Sequence, residues 1–306
     1  MFRGNLSSCG TRVFQASDYS ILRGITRADI RHEPYAHVVI EDCLPAPLYA
    51  ELARTYPSDE TILRLGKSAK DGRASPNSRH DVHSQEILGN PDSFAPSWRE
   101  FVRYHVSSAF FQEFLGLLGP EIIATHPELE RRLGRPLREL RTGILGAPEK
   151  DDSDIALDCH IGINTPSGRR GSVRRVHTDA PDELFAGLFY FRAPDDQAVG
   201  GDLEIFRWKR NKAHLFVGSE VDESDAELVH AVAYKPNTAV IFINSTMALH
   251  AVSARDPSPV SRRLVNIMGR VPHSIPEGLF EKRQKTNWRS LGRRVLQRHR
   301  ITAGRF

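Results

Sequence analysis

Apolar residues in the N-terminal half are spaced mainly as helices space them, after one short β-rich run. That run, YAHVVIEDCLP, begins with β-branched residues and predicts a strand near 35–41, which Pro45 ends. The following LYAELARTYP predicts a short helix. Between residues 97 and 119 apolar residues recur every three or four positions, which predicts one amphipathic helix, and a second helix is expected over 120–134.

The pattern changes after residue 140. Short runs rich in β-branched and aromatic residues follow one another, separated by turns such as TPSGRRGS and APDDQAVGG. The expected strands are Ile155–Ile163, Val173–His177, Leu184–Phe191, Leu203–Trp208, Leu228–Tyr234, Thr238–Ile243, Ala248–Ser253 and Leu264–Arg270. Short consecutive strands without helices between them predict an all-β sandwich or barrel.

No linker separates the two patterns, so we expect one compact unit with three parts. Residues 1–140 form an N-terminal helical support region with its leading strand, 141–275 a β-rich core, and 276–306 a basic tail or helix. The polar segment 64–84 contains Gly and Pro and has no apolar period. It is therefore expected to be a long loop, and loops of this length often carry function.

Positive charge is concentrated at the C-terminus. Residues 281–306 hold nine Lys or Arg against one acidic residue, so they carry +8 while the other 280 residues carry −4, which gives +4 in total. A solvated helix with Trp288 and Leu291 on its apolar side explains this tail better than contact with a polyanion. No nucleic-acid motif accompanies it, so nucleic acid is not an expected partner.

The composition is that of a soluble globular protein, with 40% hydrophobic and 26% charged residues. The sequence has no apolar run long enough for a membrane helix, and its first residues lack the apolar core of a signal peptide. Cys9, Cys43 and Cys159 are odd in number and widely spaced, which excludes a disulfide framework or a cysteine zinc site. We therefore expect a cytoplasmic protein without a membrane partner.

The segment VHTDAP (176–181) holds a His and an Asp two positions apart. On a strand such residues point to the same side, so His177 and Asp179 can converge on one ion, although the pair alone would more often be a polar turn. His250 follows the buried-strand pattern TAVIFI and is the candidate third ligand. Two imidazoles and one carboxylate form the facial triad that suits non-heme Fe(II) and oxygen chemistry.

Two arginines, Arg262 and Arg263, stand at the start of the last apolar strand. A guanidinium can hold a carboxylate through two hydrogen bonds, and beside a metal inside a barrel it would anchor the distal carboxylate of an organic acid. Alternation along a strand turns at least one of them outward. The alternative is that both are polar residues of an edge strand, and either arginine could be the anchor.

The order HTD, ELFAGLFYF, GGDLEIF, NTAVIFINSTMALHAV and RRLVNI resembles the Fe(II)/2-oxoglutarate-dependent oxygenases, over roughly residues 155–270. It looks most like their prolyl 4-hydroxylase-like branch, and HVVIEDCLPAPLYAEL resembles the strand–helix opening of that branch. The resemblance implies a mainly β fold with helices: a double-stranded β-helix, or jelly roll, packed by the N-terminal helices.

The resemblance also implies roles. The catalytic residues, which would hold Fe(II), are His177, Asp179 and His250. The residues that would bind the co-substrate 2-oxoglutarate are Arg262 or Arg263, Asn266, Asn164 and Tyr190. The candidates for substrate contact are Asn77, Arg79 and Trp208. Ascorbate is allowed as an additional cofactor.

The implied reaction oxidises an unactivated C–H bond while 2-oxoglutarate and O₂ become succinate and CO₂. Related halogenases lack the carboxylate at the position of Asp179, so its presence favours hydroxylation or another oxidation. The expected substrate is a small molecule, either a sugar or a natural-product intermediate. The alternatives are a prolyl-type protein hydroxylase, which needs a groove for an extended peptide, and a jelly-roll module that only binds a metal or ligand.

Overall fold

The computed structural model describes residues 14–66, 75–146, 152–209, 221–271, 275 and 278–280. The predicted basic tail therefore lies almost wholly outside the described residues, as does Cys9. The strands are β1 His37–Ile40, β2 Arg79–Val82, β3 Thr142–Ile144, β4 Ile155–Asn164, β5 Glu183–Tyr190, β6 Leu203–Trp208, β7 Ala226–Val232, β8 Ala239–Ile243, β9 Leu249–Val252 and β10 Arg262–Arg270. The helices are α1 Ala46–Arg54, α2 Asp59–Leu65, α3 Ser84–Gly89, α4 Pro96–His105, α5 Ser108–Thr125 and α6 Leu129–Leu133. Among the described helices, none has the length and apolar character needed to cross a bilayer.

The strands form two sheets that face each other. The large sheet has the order β1-β8-β5-β10-β4-β2, with β3 added parallel to β4, and the small sheet has the order β7-β6-β9. Apolar residues of both sheets, including Ala186 and Phe242 of the large one and Leu203 and Ile205 of the small one, pack together in one buried cluster. From β4 onward the chain crosses repeatedly between the sheets: β4 and β5 lie in the large sheet, β6 and β7 in the small one, β8 in the large, β9 in the small and β10 in the large. Such a path between two facing sheets is that of a double-stranded β-helix, so the predicted jelly roll is confirmed.

The alternation along β4 separates the helical core from the space between the sheets. Its odd-numbered residues, such as Ile161 and Ile163, join the main apolar cluster together with residues of the helices. Its even-numbered residues include Asp158, His160 and Asn164, which are buried and polar. Because side chains on a strand alternate in direction, one buried strand supports the helices on one face and presents polar groups on the other.

The helices cover the outer face of the large sheet. Phe114 of α5 lies against Phe185 of β5 with ring centroids 4.1 Å apart, and both side chains are fully buried. Gly269 makes room for this contact, since a Cβ there would stand 2.4 Å from Cε1 of Phe185. The N-terminal region therefore forms the back wall of the β-core.

The predicted helices over 97–119 and 120–134 are wrong in their boundaries. The first pattern covers two helices, α4 and α5, because the Ser107 side chain accepts a hydrogen bond from the Phe110 backbone N–H and caps a new helix. Because the apolar period continues across this break, the sequence pattern does not show that one helix ends and another begins. Helix α5 also continues through Pro120, so the second predicted helix is reduced to the short α6.

The predicted long loop is also wrong where it is described. Residues 79–82 form β2, which pairs antiparallel with β4 and places Arg79 opposite Asn164. This strand has only one apolar residue that faces the helices, Val82, so its sequence resembles that of a loop. Val173–His177, expected as a strand, makes only isolated bridges, among them His177 to His250.

We predict that Phe114→Ala lowers the free energy of unfolding by about 3–5 kcal/mol, because it removes a fully buried ring and leaves a cavity against Phe185. Chemical denaturation followed by circular dichroism measures the change. Val199→Ala serves as the control, since Val199 is 67% exposed and should change stability by less than about 0.5 kcal/mol. Equal effects of the two substitutions would contradict this packing.

Candidate functional site

Two histidines from distant parts of the chain lie side by side between the sheets. The backbone N–H of His177 donates to the carbonyl of His250 at 2.9 Å, and the N–H of His250 donates back at 3.0 Å. This pairing holds the two imidazole centroids 4.2 Å apart. Asp179 lies two residues beyond His177, and its Oδ1 is 3.6 Å from Nε2 of each histidine. The three side chains thus converge on one point, as a metal site requires.

The two imidazoles are oriented by the backbone. Nδ1 of His177 lies 2.7 Å from the carbonyl oxygen of Arg175, and Nδ1 of His250 lies 3.0 Å from that of Ala248. A carbonyl can only accept, so Nδ1 of each ring donates to it, and Nε2 is directed at the point that it shares with Asp179. Metal-binding histidines are commonly fixed by a second hydrogen bond of this kind.

Burial and mutual contact set the charges of the group. Burial opposes the ionisation of Asp179, but His250 and His177 beside it hold the pKa of this carboxyl well below its usual range. Burial lowers the pKa of His177, whereas the Asp179 carboxylate outweighs burial and raises the pKa of His250. A carboxylate and a neutral imidazole are the forms in which these side chains bind a metal ion.

The triad opens into a cavity of about 280 Å³ between the two sheets. Apolar residues from both sheets, including Leu188, Leu203 and Phe242, form part of its wall. Its polar wall consists of Arg79, Asp81, His160, Asn164, Arg174, Arg262 and Asn266 in addition to the triad. The volume is just below the range for small-molecule sites, which is about 300–1,000 Å³.

Arg262 lies in this cavity with a charge that no carboxylate balances among the described residues. Its side chain is buried and donates from Nε to the Gly201 carbonyl at 2.8 Å and from Nη1 to Oδ1 of Asn164 at 3.1 Å. The guanidinium also packs over the rings of Tyr190 and Tyr234, at 5.1 and 4.8 Å. Burying a charge is costly unless it is paired, so this arginine is prepared for an anionic ligand.

Three buried donor groups near Arg262 have no hydrogen-bond partner among the described residues. They are Nη2 of Arg262 itself, Nδ2 of Asn164 and the hydroxyl of Tyr190. A buried polar group without a partner costs about 1–3 kcal/mol. A carboxylate is an acceptor that would satisfy such donors, and its charge would match that of the guanidinium.

The structure separates the two candidate arginines. Arg262 lines the cavity, whereas Arg263 points to the opposite face of β10 and packs over the ring of Tyr56, 5.3 Å from its centroid. Asn266 lines the cavity and accepts a hydrogen bond from Nη2 of Arg79 at 2.9 Å. Arg79 itself lines the cavity, as a substrate candidate should.

Asn77 and Trp208, the other two substrate candidates, do not line the cavity. The indole N–H of Trp208 donates to the carbonyl of Thr246, and the ring packs on a separate apolar cluster of the small sheet. Asn77 lies in a turn with a positive φ of 55°. The cavity therefore gives no support to their expected contact with substrate, which stays a prediction. Neither polar character nor position after a strand shows which side of the sheet a residue occupies.

The sequence does not single out the cavity residues Asp81 and His160, nor Asp158 and His83, which contact His160 from behind the cavity wall. Their signal is present in IALDCHIGIN, where polar residues occupy alternate positions of an otherwise apolar strand. A strand buried on both faces should not contain Asp158 and His160 unless they have partners. That pattern indicates a polar interior, but it does not identify the partners, which come from residues near 80.

No family model matches this chain, and no curated protein matches it either. Among solved structures it is similar to a prolyl 4-hydroxylase from Phytophthora capsici, at 17% identity and a TM-score of 0.46, over 93% of this chain and 77% of that one. It is also similar to the dioxygenase for auxin oxidation 1 from Arabidopsis thaliana, solved with 2-oxoglutarate, at 14% identity and a TM-score of 0.36, over 77% and 82% of the two chains.

A third similar structure is the epimerase SnoN with Fe³⁺ and alpha ketoglutarate, at 12% identity and a TM-score of 0.40, over 76% of this chain and 78% of that one. These proteins include both peptide-directed and small-molecule enzymes, by their names. Likeness of this degree says nothing about the activity of the present chain. Its fold and site rest on the strand pairing and the side-chain geometry described above.

We predict that His177→Ala lowers the affinity for a divalent metal by at least about 100-fold, because a ligand with its lone pair directed at the site is lost. Co(II) titration followed by its visible absorption, under anaerobic conditions, measures the binding. His230→Ala is the matched control, since His230 lies on β7, outside the cavity, and should leave the affinity unchanged. Unchanged binding by His177→Ala would contradict the metal site.

Proposed function

We propose that this protein is an Fe(II)/2-oxoglutarate-dependent oxygenase that oxidises a C–H bond of a small molecule. One observation carries the proposal. The cavity that contains two histidines and an aspartate on one wall also contains a buried arginine with no carboxylate partner among the described residues. A metal-binding module requires only the first of these features, whereas a site for a metal-chelating dicarboxylate requires both.

The donor set of the triad fits Fe(II). His177 and His250 offer nitrogen lone pairs and Asp179 offers a carboxylate oxygen, and all three ligands come from one side. This arrangement leaves coordination positions open, which is the pattern of non-heme Fe(II) oxygenases. When bound, Fe(II) would supply the chemistry that activates O₂, and 2-oxoglutarate would supply two electrons as it is oxidised to succinate and CO₂.

The buried donors fit the distal carboxylate of 2-oxoglutarate. Arg262 would bind this carboxylate, and Asn164 and Tyr190 have unpaired donors with which to complete the contact. Tyr190 keeps its proton for this purpose, since burial raises the pKa of its hydroxyl to about 12. Arg263 has no such role in the proposal, because its guanidinium packs on Tyr56 on the other face of β10.

The walls of the cavity would exclude water from the reacting groups. Leu188 and Phe242 of the large sheet and Leu203 of the small sheet are apolar, and Phe242 packs against the ring of His250 at 4.8 Å. Exclusion of water strengthens electrostatic contacts and prevents side reactions of reactive species. The cavity volume of about 280 Å³ favours a small substrate over an extended peptide, which would need a longer groove. Ascorbate stays a prediction of the resemblance alone.

Anaerobic purification followed by addition of Fe(II), 2-oxoglutarate and then O₂ tests the proposal. We expect slow succinate formation even without a substrate, at a rate that depends on both Fe(II) and 2-oxoglutarate. Folded protein that binds no Fe(II) and forms no succinate would refute it. Folded protein that binds metal and 2-oxoglutarate but never produces succinate would identify a ligand-binding module instead.

We predict that Arg262→Met weakens 2-oxoglutarate binding by about 30-fold or more, because loss of one partner of a buried charge pair costs at least about 2 kcal/mol. Anaerobic isothermal titration calorimetry of the Mn(II)-loaded protein measures the affinity. Arg263→Met is the matched control: it removes the neighbouring guanidinium from the opposite face of the same strand and should change the affinity less than threefold. Equal losses in the two variants would contradict the assignment.

A further inference from the structure

A second group of polar side chains, at the cavity wall and directly behind it, has no part in the roles proposed for the metal triad and Arg262. We call it the β2–β4 polar group, and it consists of Arg79, Asp81, His83, Asp158 and His160. Asp81 and His160 line the cavity directly. His160 is four residues from Asn164 on the same face of β4, which is about 13 Å along the strand. The group is therefore available to a ligand other than the carboxylate at Arg262.

A glycine creates the space for the first pair of this group. Nε of Arg79 donates to Oδ1 of Asp81 at 2.5 Å, and the pair lies against Gly162 of β4. A Cβ at Gly162 would stand 2.0 Å from Oδ1 of Asp81 and 3.0 Å from Nη2 of Arg79. The ion pair thus occupies the volume that a side chain of β4 would fill, and this fixes the Asp81 carboxylate at the cavity wall.

Asp158 fixes the orientation of His160. Its Oδ1 accepts hydrogen bonds from the backbone N–H and hydroxyl of Ser84, at 3.0 and 2.7 Å. Its Oδ2 lies 2.6 Å from Nδ1 of His83 and 2.9 Å from Nδ1 of His160. Both oxygens of Asp158 are thus engaged in hydrogen bonds, to Ser84, His83 and His160. His160 therefore donates from Nδ1 and presents Nε2 to the cavity.

The two groups that face the cavity are hydrogen-bond acceptors. Nε2 of His160 and Oδ2 of Asp81 make no hydrogen bond to a described residue, and Nε2 lies 3.8 Å from Oδ1 of Asp81. In a neutral imidazole whose Nδ1 carries the proton, Nε2 accepts, and an ionised carboxylate also only accepts. A ligand at this wall must therefore bring hydrogen-bond donors, at least two of them, close together.

The charges around this wall favour neutral donors. Arg79 already balances the charge of Asp81, and Arg174 and Arg262 line the same cavity, so an ammonium ligand would meet three guanidinium groups. An apolar ligand, or a prolyl side chain, would displace water from these acceptors without supplying a hydrogen bond in its place, which opposes its binding. Hydroxyl groups on adjacent carbons satisfy both conditions.

We propose that Asp81 and His160 form a substrate subsite that accepts hydrogen bonds from neighbouring hydroxyl groups of a polyhydroxylated small molecule. The inference rests on the proposed oxygenase function and names the class of its substrate. In this proposal the substrate binds to β2 and β4, on the wall formed by the large sheet, and the metal binds at the small sheet.

Two measurements test the subsite with named probes: D-glucose, D-ribose and myo-inositol, against cyclohexanol, putrescine and a poly-L-proline peptide. In the Zn(II)- and 2-oxoglutarate-loaded protein, which cannot turn over, saturation-transfer NMR should detect at least one of the three polyols and none of the other compounds. In the Fe(II) enzyme, the same polyol should raise succinate formation at least about threefold above the rate without substrate.

Substitutions of Asp81 and His160 test whether these two residues bind the polyol. His160→Phe should abolish both the NMR signal and the stimulation by the polyol, and Asp81→Asn should weaken polyol binding by about tenfold, because each removes or weakens one acceptor. His230→Phe and Asp256→Asn are the matched controls outside the cavity and should retain both. Circular dichroism establishes that each variant is folded. In wild-type protein labelled with ¹⁵N-histidine, the polyol should also shift the Nε2 resonance of an imidazole that is not bound to metal.

The outcomes separate this inference from the proposed function. If wild-type protein binds Fe(II) and forms succinate but no polyol binds or stimulates, the subsite is wrong and the oxygenase function stands. Binding of only cyclohexanol, putrescine or the peptide would likewise overturn the subsite, as would full polyol binding by folded His160→Phe. If the protein neither binds Fe(II) nor forms succinate, both proposals fail.

Discussion

The pair of backbone hydrogen bonds between His177 and His250 is the contact on which the candidate metal site depends. These residues are 73 positions apart in sequence, and the two bonds place their side chains on one side of the small sheet. The same backbone supplies the Arg175 and Ala248 carbonyls that orient the imidazoles. The orientation of the two imidazoles of the triad is therefore set by strand pairing.

The cavity contains more polar groups than an ordinary protein interior, and only some of these groups have partners that offset the cost of their burial. Asp158 makes four hydrogen bonds with three residues, and Arg79 and Asp81 neutralise each other. Arg262, by contrast, has neutral partners only. Buried polar groups that are fully satisfied hold a structure in place, whereas unsatisfied ones indicate where a ligand completes the network. This difference distinguishes the scaffold from the binding groups.

The sequence predicts those structural features that produce a recognisable residue pattern within one segment of the chain. Runs rich in β-branched and aromatic residues after residue 140 predict most strands of the core. The ordered motifs identify two histidines, an aspartate and an arginine pair, of which the structure brings the histidines, the aspartate and Arg262 to one cavity. The prediction failed where local chemistry competes with a pattern, as at Ser107, which starts a new helix inside a continuous apolar period. The prediction also failed for β2. Its polar side chains face a polar cavity, so this partly buried strand shows no apolar pattern in the sequence.

The edge position of β2 has a consequence for how this protein can diversify. β2 pairs with β4 alone among the described strands, and the side chains that it sends into the cavity touch neither the triad nor the guanidinium of Arg262. Exchange of four residues at this edge would therefore alter the cavity wall while the strands that carry the histidines keep their register. The residues proposed to bind the substrate and those proposed to bind the metal thus lie on different strands. Substitutions can therefore accumulate in one set without changing the other.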